Sequence, residues 1–226
     1  MTIKEILNKI RKEQIEILSL KHKFYKVLSF LILGVILGVI SKYSDTIPSS
    51  SDLGYIWNLL RDITTGLGLW IFLATIISAW SKNPKEAAIK VLVFFMGMLI
   101  AYYIYSMKLF GFFPKYCFLR WFGIALFSPL AAYIVWFSRG DGWIAGLCAA
   151  LPIGLLISIK HSFLFSLSVL SGFELILGSF ELISPILLFL ILPKSKKQYL
   201  RIFILIIFVV LFFVKSRIFF YIFSGL

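Results

Sequence analysis

Charge is what this sequence has least of. Asp, Glu, Lys and Arg make up 15% of its 226 residues, against about a quarter in soluble domains. That shortfall excludes a water-facing surface over most of the chain. Acidic residues are scarcest, 10 against 23 Lys and Arg, and no carboxylate-rich metal cluster is present. The two histidines, His22 and His161, are far apart. HExxH and GxSxG are both missing, so no zinc-hydrolase or nucleophile-elbow chemistry is indicated. The two cysteines, Cys117 and Cys148, lack metal-ligand spacing. They are expected near opposite membrane faces, unbridged, as small apolar packing residues. An A-x-A cleavage site is also missing. The first apolar run follows a tail containing Glu5, Glu13 and Glu16, so the first span is expected to be an uncleaved anchor.

What is there is apolar: 61% hydrophobic residues and a mean hydropathy of +0.98. The long runs are continuous and do not alternate at period two, which argues for spanning helices over a barrel. The expected fold is all-α, a polytopic transmembrane helix bundle of about seven spans (six to eight) with a cytoplasmic N-terminus. It has two parts, an amphipathic basic helix in 1–23 and one transmembrane domain in 24–226. The net charge of +13 sits mostly in the tail and short loops. Topology and anionic lipid account for it, and no nucleic-acid module is visible.

Residues 2–20 place Ile3, Ile6, Leu7, Ile10, Ile17 and Leu18 at helical spacing. Such a helix lies flat on the headgroups or docks on a partner. Spans are expected at 24–40, 57–80, 87–107, 118–138, 143–160, 173–192 and 200–214. Residues 161–172 extend span 5, lie at the interface, or re-enter. With the N-terminus inside, 15 Lys and Arg fall inside and 8 outside, as the positive-inside rule requires. Trp57 and Trp121 then mark the outer interface, and Trp80, Trp136 and Trp143 the inner one.

One stretch breaks the apolar pattern. In WNLLRDITTGLGLW, residues 57–70, Asn58, Arg61, Asp62 and Thr65 recur at i, i+3, i+4 and i+7. That is a polar stripe two turns long, and lipid does not tolerate it, so it faces the bundle interior or a wet crevice. Tyr102, Tyr105 and Ser106 share a face of span 3, and Glu174 and Glu181 share one of span 6. These groups point to a polar crevice open to the outside. The candidate ligand-binding residues are Asn58, Arg61, Asp62, Thr65, Tyr102, Tyr105 and Glu181. Arg61 suits an anionic group, Asp62 or Glu181 a cationic one, and the tyrosines stacking. Arg61 and Asp62 equally suit structural pairing with Glu181 and Lys160. Lys108, Lys115 and Arg120 read first as snorkelling anchors. Pro129, Pro152 and Pro185 are candidate kinks. No residue is assigned a catalytic or metal role, and no motif names a cofactor.

The stretches GLGLWIFLATIISAWSKNPKEAAIKVLVFFMGMLIAYYIY and GFFPKYCFLRWFGIALFSPLAAYIVWFSRGDGWIAG carry Pro84 with Ala87 and Ala88, the Tyr102–Tyr103 pair, the Ser128–Pro129 step and the turn before Trp143. Over about residues 66–160 this resembles a family of small Gram-positive multi-spanning membrane proteins of unknown function. The resemblance implies kinship of fold and no activity. More distantly, the chain is similar to substrate-binding components of energy-coupling factor transporters. Those bind vitamins or metals from outside and use small residues of span 1 to dock a coupling subunit. Gly34 and Gly38 match that spacing, whereas the seventh span and the amphipathic N-terminus do not match. Three functions follow as expectations: binding or transport of a small molecule, an accessory subunit of a membrane complex, and an intramembrane enzyme acting on lipid. The third requires Glu174, Glu181 and His161 around one cavity.

Overall fold

The computed structural model describes residues 3–14, 19–47, 54–159 and 172–216. Among them the helices are α1 (Ile3–Ile10), α2 (Leu20–Ser44), α3 (Gly54–Thr65), α4 (Leu67–Ala79), α5 (Pro84–Phe110), α6 (Lys115–Trp136), α7 (Gly142–Ile159), α8 (Gly172–Ile191) and α9 (Lys196–Ser216), and there is no strand. Five of these are long and apolar enough to cross a membrane: Lys21–Ser44, Pro84–Phe110, Lys115–Arg139, Gly142–Ile159 and Lys196–Ser216. The bent pair α3 and α4 passes the same test of length and composition only when the two helices are taken together. The outward faces carry large apolar side chains, among them Ile32, Ile36, Phe203 and Phe208, all about half exposed or more. In water such a surface would associate, so the chain is an integral, multi-pass membrane protein.

Short turns fix the alternation. Asn83 accepts a hydrogen bond from the Glu86 N–H at 2.8 Å, and Pro84 sits in the first turn of α5, a strong helix start. Gly111 ends α5 in the left-handed region, φ 69°, where a Cβ is disfavoured. A short 3₁₀ turn, Phe137–Arg139, links α6 to α7.

The closest helix pair is α2 with α5. A methyl group on Gly34 would overlap the Phe94 carbonyl, one on Gly38 the Met98 carbonyl, and one on Gly97 would lie 2.5 Å from the Leu31 carbonyl. The glycine spacing read in span 1 therefore serves packing within this chain, and α5 fills the face proposed for a coupling subunit. One core cluster joins α4, α5 and α6 around Trp70, Phe94 and Tyr103. A second joins α4, α7, α8 and α9 around Ile153, Leu188 and Ile202. Gln198, fully buried, donates from Nε2 to the Gly142 carbonyl at 3.0 Å and ties α9 to the start of α7.

Three expectations need correction. The N-terminal helix ends at Ile10, not at 20. From there the backbone also binds loops: the Asp141 N–H donates to the Ile10 carbonyl at 3.0 Å and the Gln14 N–H to the Lys82 carbonyl at 3.1 Å. Ile10 is buried with Ala87, Trp136 and Phe137, so the end of α1 is seated on this chain's own turns. Trp136 is not an interface residue. It is fully buried and donates from Nε1 to the Ser81 carbonyl at 2.7 Å. Span 2 is not one rod: α3 and α4 meet at 69°. Residues 161–171 lie outside the described residues, and so does the choice made for them.

Candidate functional site

The α3–α4 break is local chemistry. Gly66 is extended, φ −74° and ψ 153°, and caps α4 without a side chain. Thr64 turns its hydroxyl back on α3, donating to the Leu60 carbonyl at 2.8 Å and the Arg61 carbonyl at 3.1 Å. Such back-bonding bends helices. The Trp70 indole donates to the Thr64 carbonyl at 2.8 Å across the break. Helix α4 alone is about 20 Å long at 1.5 Å per residue, short of the ~30 Å hydrocarbon core. The stripe therefore lies on a separate short helix.

Arg61 Nε donates to Asp62 Oδ1 at 3.4 Å, with each side chain about a third exposed. Among the described residues the two charges pair with each other. At that exposure the pair contributes little. Asn58 is half-buried and Thr65 exposed, while Thr64 is the buried threonine. Among the described residues no hydrogen bond or ion pair joins Arg61 or Asp62 to Tyr102 or Tyr105. The Glu181 side chain, Lys160, His161 and the Glu174 side chain lie outside the described residues.

Tyr102 belongs to a cluster built from α2. Lys42 Nζ lies 2.9 Å from Asp45 Oδ2, and the Tyr102 hydroxyl donates to the same oxygen at 3.4 Å. The Lys42 ammonium sits 5.0 Å from the Tyr102 ring centre and 4.6 Å from that of Phe110. Its side chain is only 8% exposed. Tyr43 meets Trp57 edge-on at 5.1 Å, so α3 rests on this end of α2. The span expected at 24–40 stops short of Lys42, whereas α2 runs on to Ser44. The available signal was the i,i+3 spacing of Lys42 and Asp45 on a helix running four residues further than expected.

A separate space opens between the helices. A partly open groove of about 620 Å³ lies between α4, α5, α6 and α7. Its walls include Leu67, Ile71, Phe95, Ile124, Leu151 and Pro152. Three hydroxyls on its lining are already spent: Thr75 donates to the Ile71 carbonyl at 2.7 Å, Ser78 to Ala74 at 2.6 Å and Ser128 to Ala125 at 2.7 Å. The walls are therefore almost wholly apolar. Among the described residues Arg120 is the single charge on the lining, and it makes no ion pair. It lies early in α6, at the same end as Leu67 and the helix break. Of the seven residues chosen from sequence, the six whose side chains are described do not line this groove; Thr65 lies two positions before the lining residue Leu67 in sequence. No group of His, Cys, Asp and Glu among the described residues could hold a metal.

Comparison of the chain with protein families, with curated proteins and with solved structures gave no match. The site rests on its own geometry.

Proposed function

We propose that this membrane protein binds one amphipathic molecule, with its apolar chain in the α4–α7 groove and its anionic head at Arg120. The observation that carries the reading is the apolar groove with one unpaired cation at its end. From Gly123 to Val135 the α6 wall is about 18 Å long at 1.5 Å per residue, close to one leaflet of a ~30 Å core. Its volume lies in the usual range of ligand sites. Arg120 then does more than anchor the helix. The cationic and aromatic groups at the same end, Lys42, Tyr102 and the Arg61–Asp62 pair, would meet a polar head entering from the outside, with the N-terminus cytoplasmic. The resemblance over residues 66–160 belongs to this proposal and assigns no residue a role.

Native mass spectrometry of the full chain from mild detergent tests it. Gly123 faces the groove with no atom within 4 Å of where a Cβ would stand, so Gly123→Leu fills the space at small cost to the fold. The expected result is an amphipathic adduct on the wild type that the variant loses. No adduct, or equal adducts on both, would refute the reading.

A further inference from the structure

We propose that the α1 end of the bundle holds a phosphate-class oxyanion between Arg11, Arg139 and Lys194. The site is separate from the groove and does not depend on it. The three cations come from three segments: the chain leaving α1, the α6–α7 turn and the α8–α9 loop. Among the described residues none of them makes an ion pair with a carboxylate. Asp141 is the acidic group near them. It is exposed, and its backbone N–H is taken by the Ile10 carbonyl.

The two arginines are fixed in place. The Arg11 guanidinium lies 4.1 Å from the Trp136 ring centre. It donates to the Trp136 carbonyl, and to the Ser81 carbonyl at 3.4 Å. Arg139 lies 4.2 Å from the Trp80 ring centre. Stacking holds a guanidinium flat and leaves its edge free to donate. Each has five N–H donors, and Arg11 uses two on carbonyls. The Nε of Arg139 is buried with no hydrogen-bond partner, and so is the hydroxyl of the fully buried Ser138 beside it. A buried donor without a partner is rare in a native structure and points to a missing group.

The electrostatics agree. Burial first, and the positive charge of Arg139 second, lower the Arg11 pKa to about 10. Burial lowers Lys194 as well, followed by Arg11 and Arg139, with Asp141 opposing. Arg11 and Arg139 are thus held partly desolvated against their repulsion, and the exposed Lys194 adds to the same positive field. An anion with several oxygens satisfies the buried N–H and offsets that repulsion, and guanidinium forks fit phosphate best. Two sources carry this chemistry, an anionic phospholipid headgroup and soluble phosphate. Basic pockets between spanning helices bind such headgroups.

The test is the thermal unfolding midpoint of the full chain in neutral detergent. The probes are phosphatidylglycerol mixed into the micelles, inorganic phosphate, and chloride at matched ionic strength. Variants are Arg139→Gln, Lys194→Gln and, as a control at the same end, the exposed Lys85→Gln. Expected is a rise in midpoint with one of the first two probes and none with chloride. Phosphatidylglycerol acting alone identifies a headgroup; inorganic phosphate acting identifies the soluble ion. Arg139→Gln and Lys194→Gln should each weaken the apparent affinity about tenfold, the loss of one charge-assisted hydrogen bond, while Lys85→Gln keeps it. If Arg139→Gln does not fold, the exposed Lys194→Gln gives the readout alone. No rise in the wild type, or a rise undiminished in Lys194→Gln, overturns the proposal.

Discussion

The indole of Trp70 donates to the backbone carbonyl of Thr64 at 2.8 Å, bridging the break between α3 and α4. Trp70 is 2% exposed and packs beside Phe94, so core packing positions the donor. Trp70→Phe keeps most of the ring and removes the N–H. It should cost about 1–2 kcal/mol, because the Thr64 carbonyl loses its partner in a buried place. Reversible unfolding in detergent measures it. A neutral result would mean that the bend stands without this bond.

Gly34 and Gly123 make opposite predictions for the same substitution. Gly34→Ala drives a methyl group into the Phe94 carbonyl of α5, an overpacking expected to cost about 1–3 kcal/mol. Gly123→Ala meets open space and gains helix propensity, up to about 1 kcal/mol. Paired unfolding midpoints check both directions.

Asp45 holds Lys42 and Tyr102 with one oxygen. Asp45→Asn leaves the Lys42 ammonium buried without its anion and should destabilise by ~2–3 kcal/mol. Tyr102→Phe loses only a long hydrogen bond and should cost about 0.5 kcal/mol or less. Combining Asp45→Asn with Lys42→Met should recover much of the loss, since the stranded charge is gone. Additive losses in the double variant would show that the two side chains act separately.

At the other end, Gly140 lies against the Ile10 carbonyl, and a methyl group there would overlap it. Gly140→Ala should release the end of α1 while the bundle stays folded. Limited trypsin digestion then cuts faster after Lys9, Arg11 and Lys12, with little change in the midpoint for the remainder. Unchanged cutting would mean that Ile10 stays seated.

Much of the fold was legible because lipid imposes a simple rule. Runs of apolar residues bounded by Asn83–Pro84, Gly111 and Gly140–Gly142 mark α5, α6 and α7 to within a few residues. The break at Gly66 was less legible. Its sequence, Thr-Thr-Gly, is compatible with a continuous helix, and only the Trp70 bond from a turn later settles it. The role of Trp136 was hidden similarly, because an interface tryptophan and a buried one look alike until Ser81 and Arg11 arrive from distant segments. The groove was invisible. Its walls are ordinary apolar residues, and a void between helices leaves no periodicity. Sequence reading followed the polar groups instead and so found Tyr102 without Lys42 and Asp45.

The central claim is that the α4–α7 groove holds a ligand chain distinct from bulk lipid. Photo-crosslinking with a diazirine-bearing amphiphile, located by peptide mass spectrometry, tests it directly. Groove residues Ser128, Ala132, Leu151 and Pro152 compare with Leu126 and Leu130, which are more than half exposed and lie outside the groove. The account predicts that unlabelled amphiphile abolishes labelling at the first four and leaves the last two unchanged. Labelling that competes equally at both sets, or that never reaches the groove residues, contradicts it.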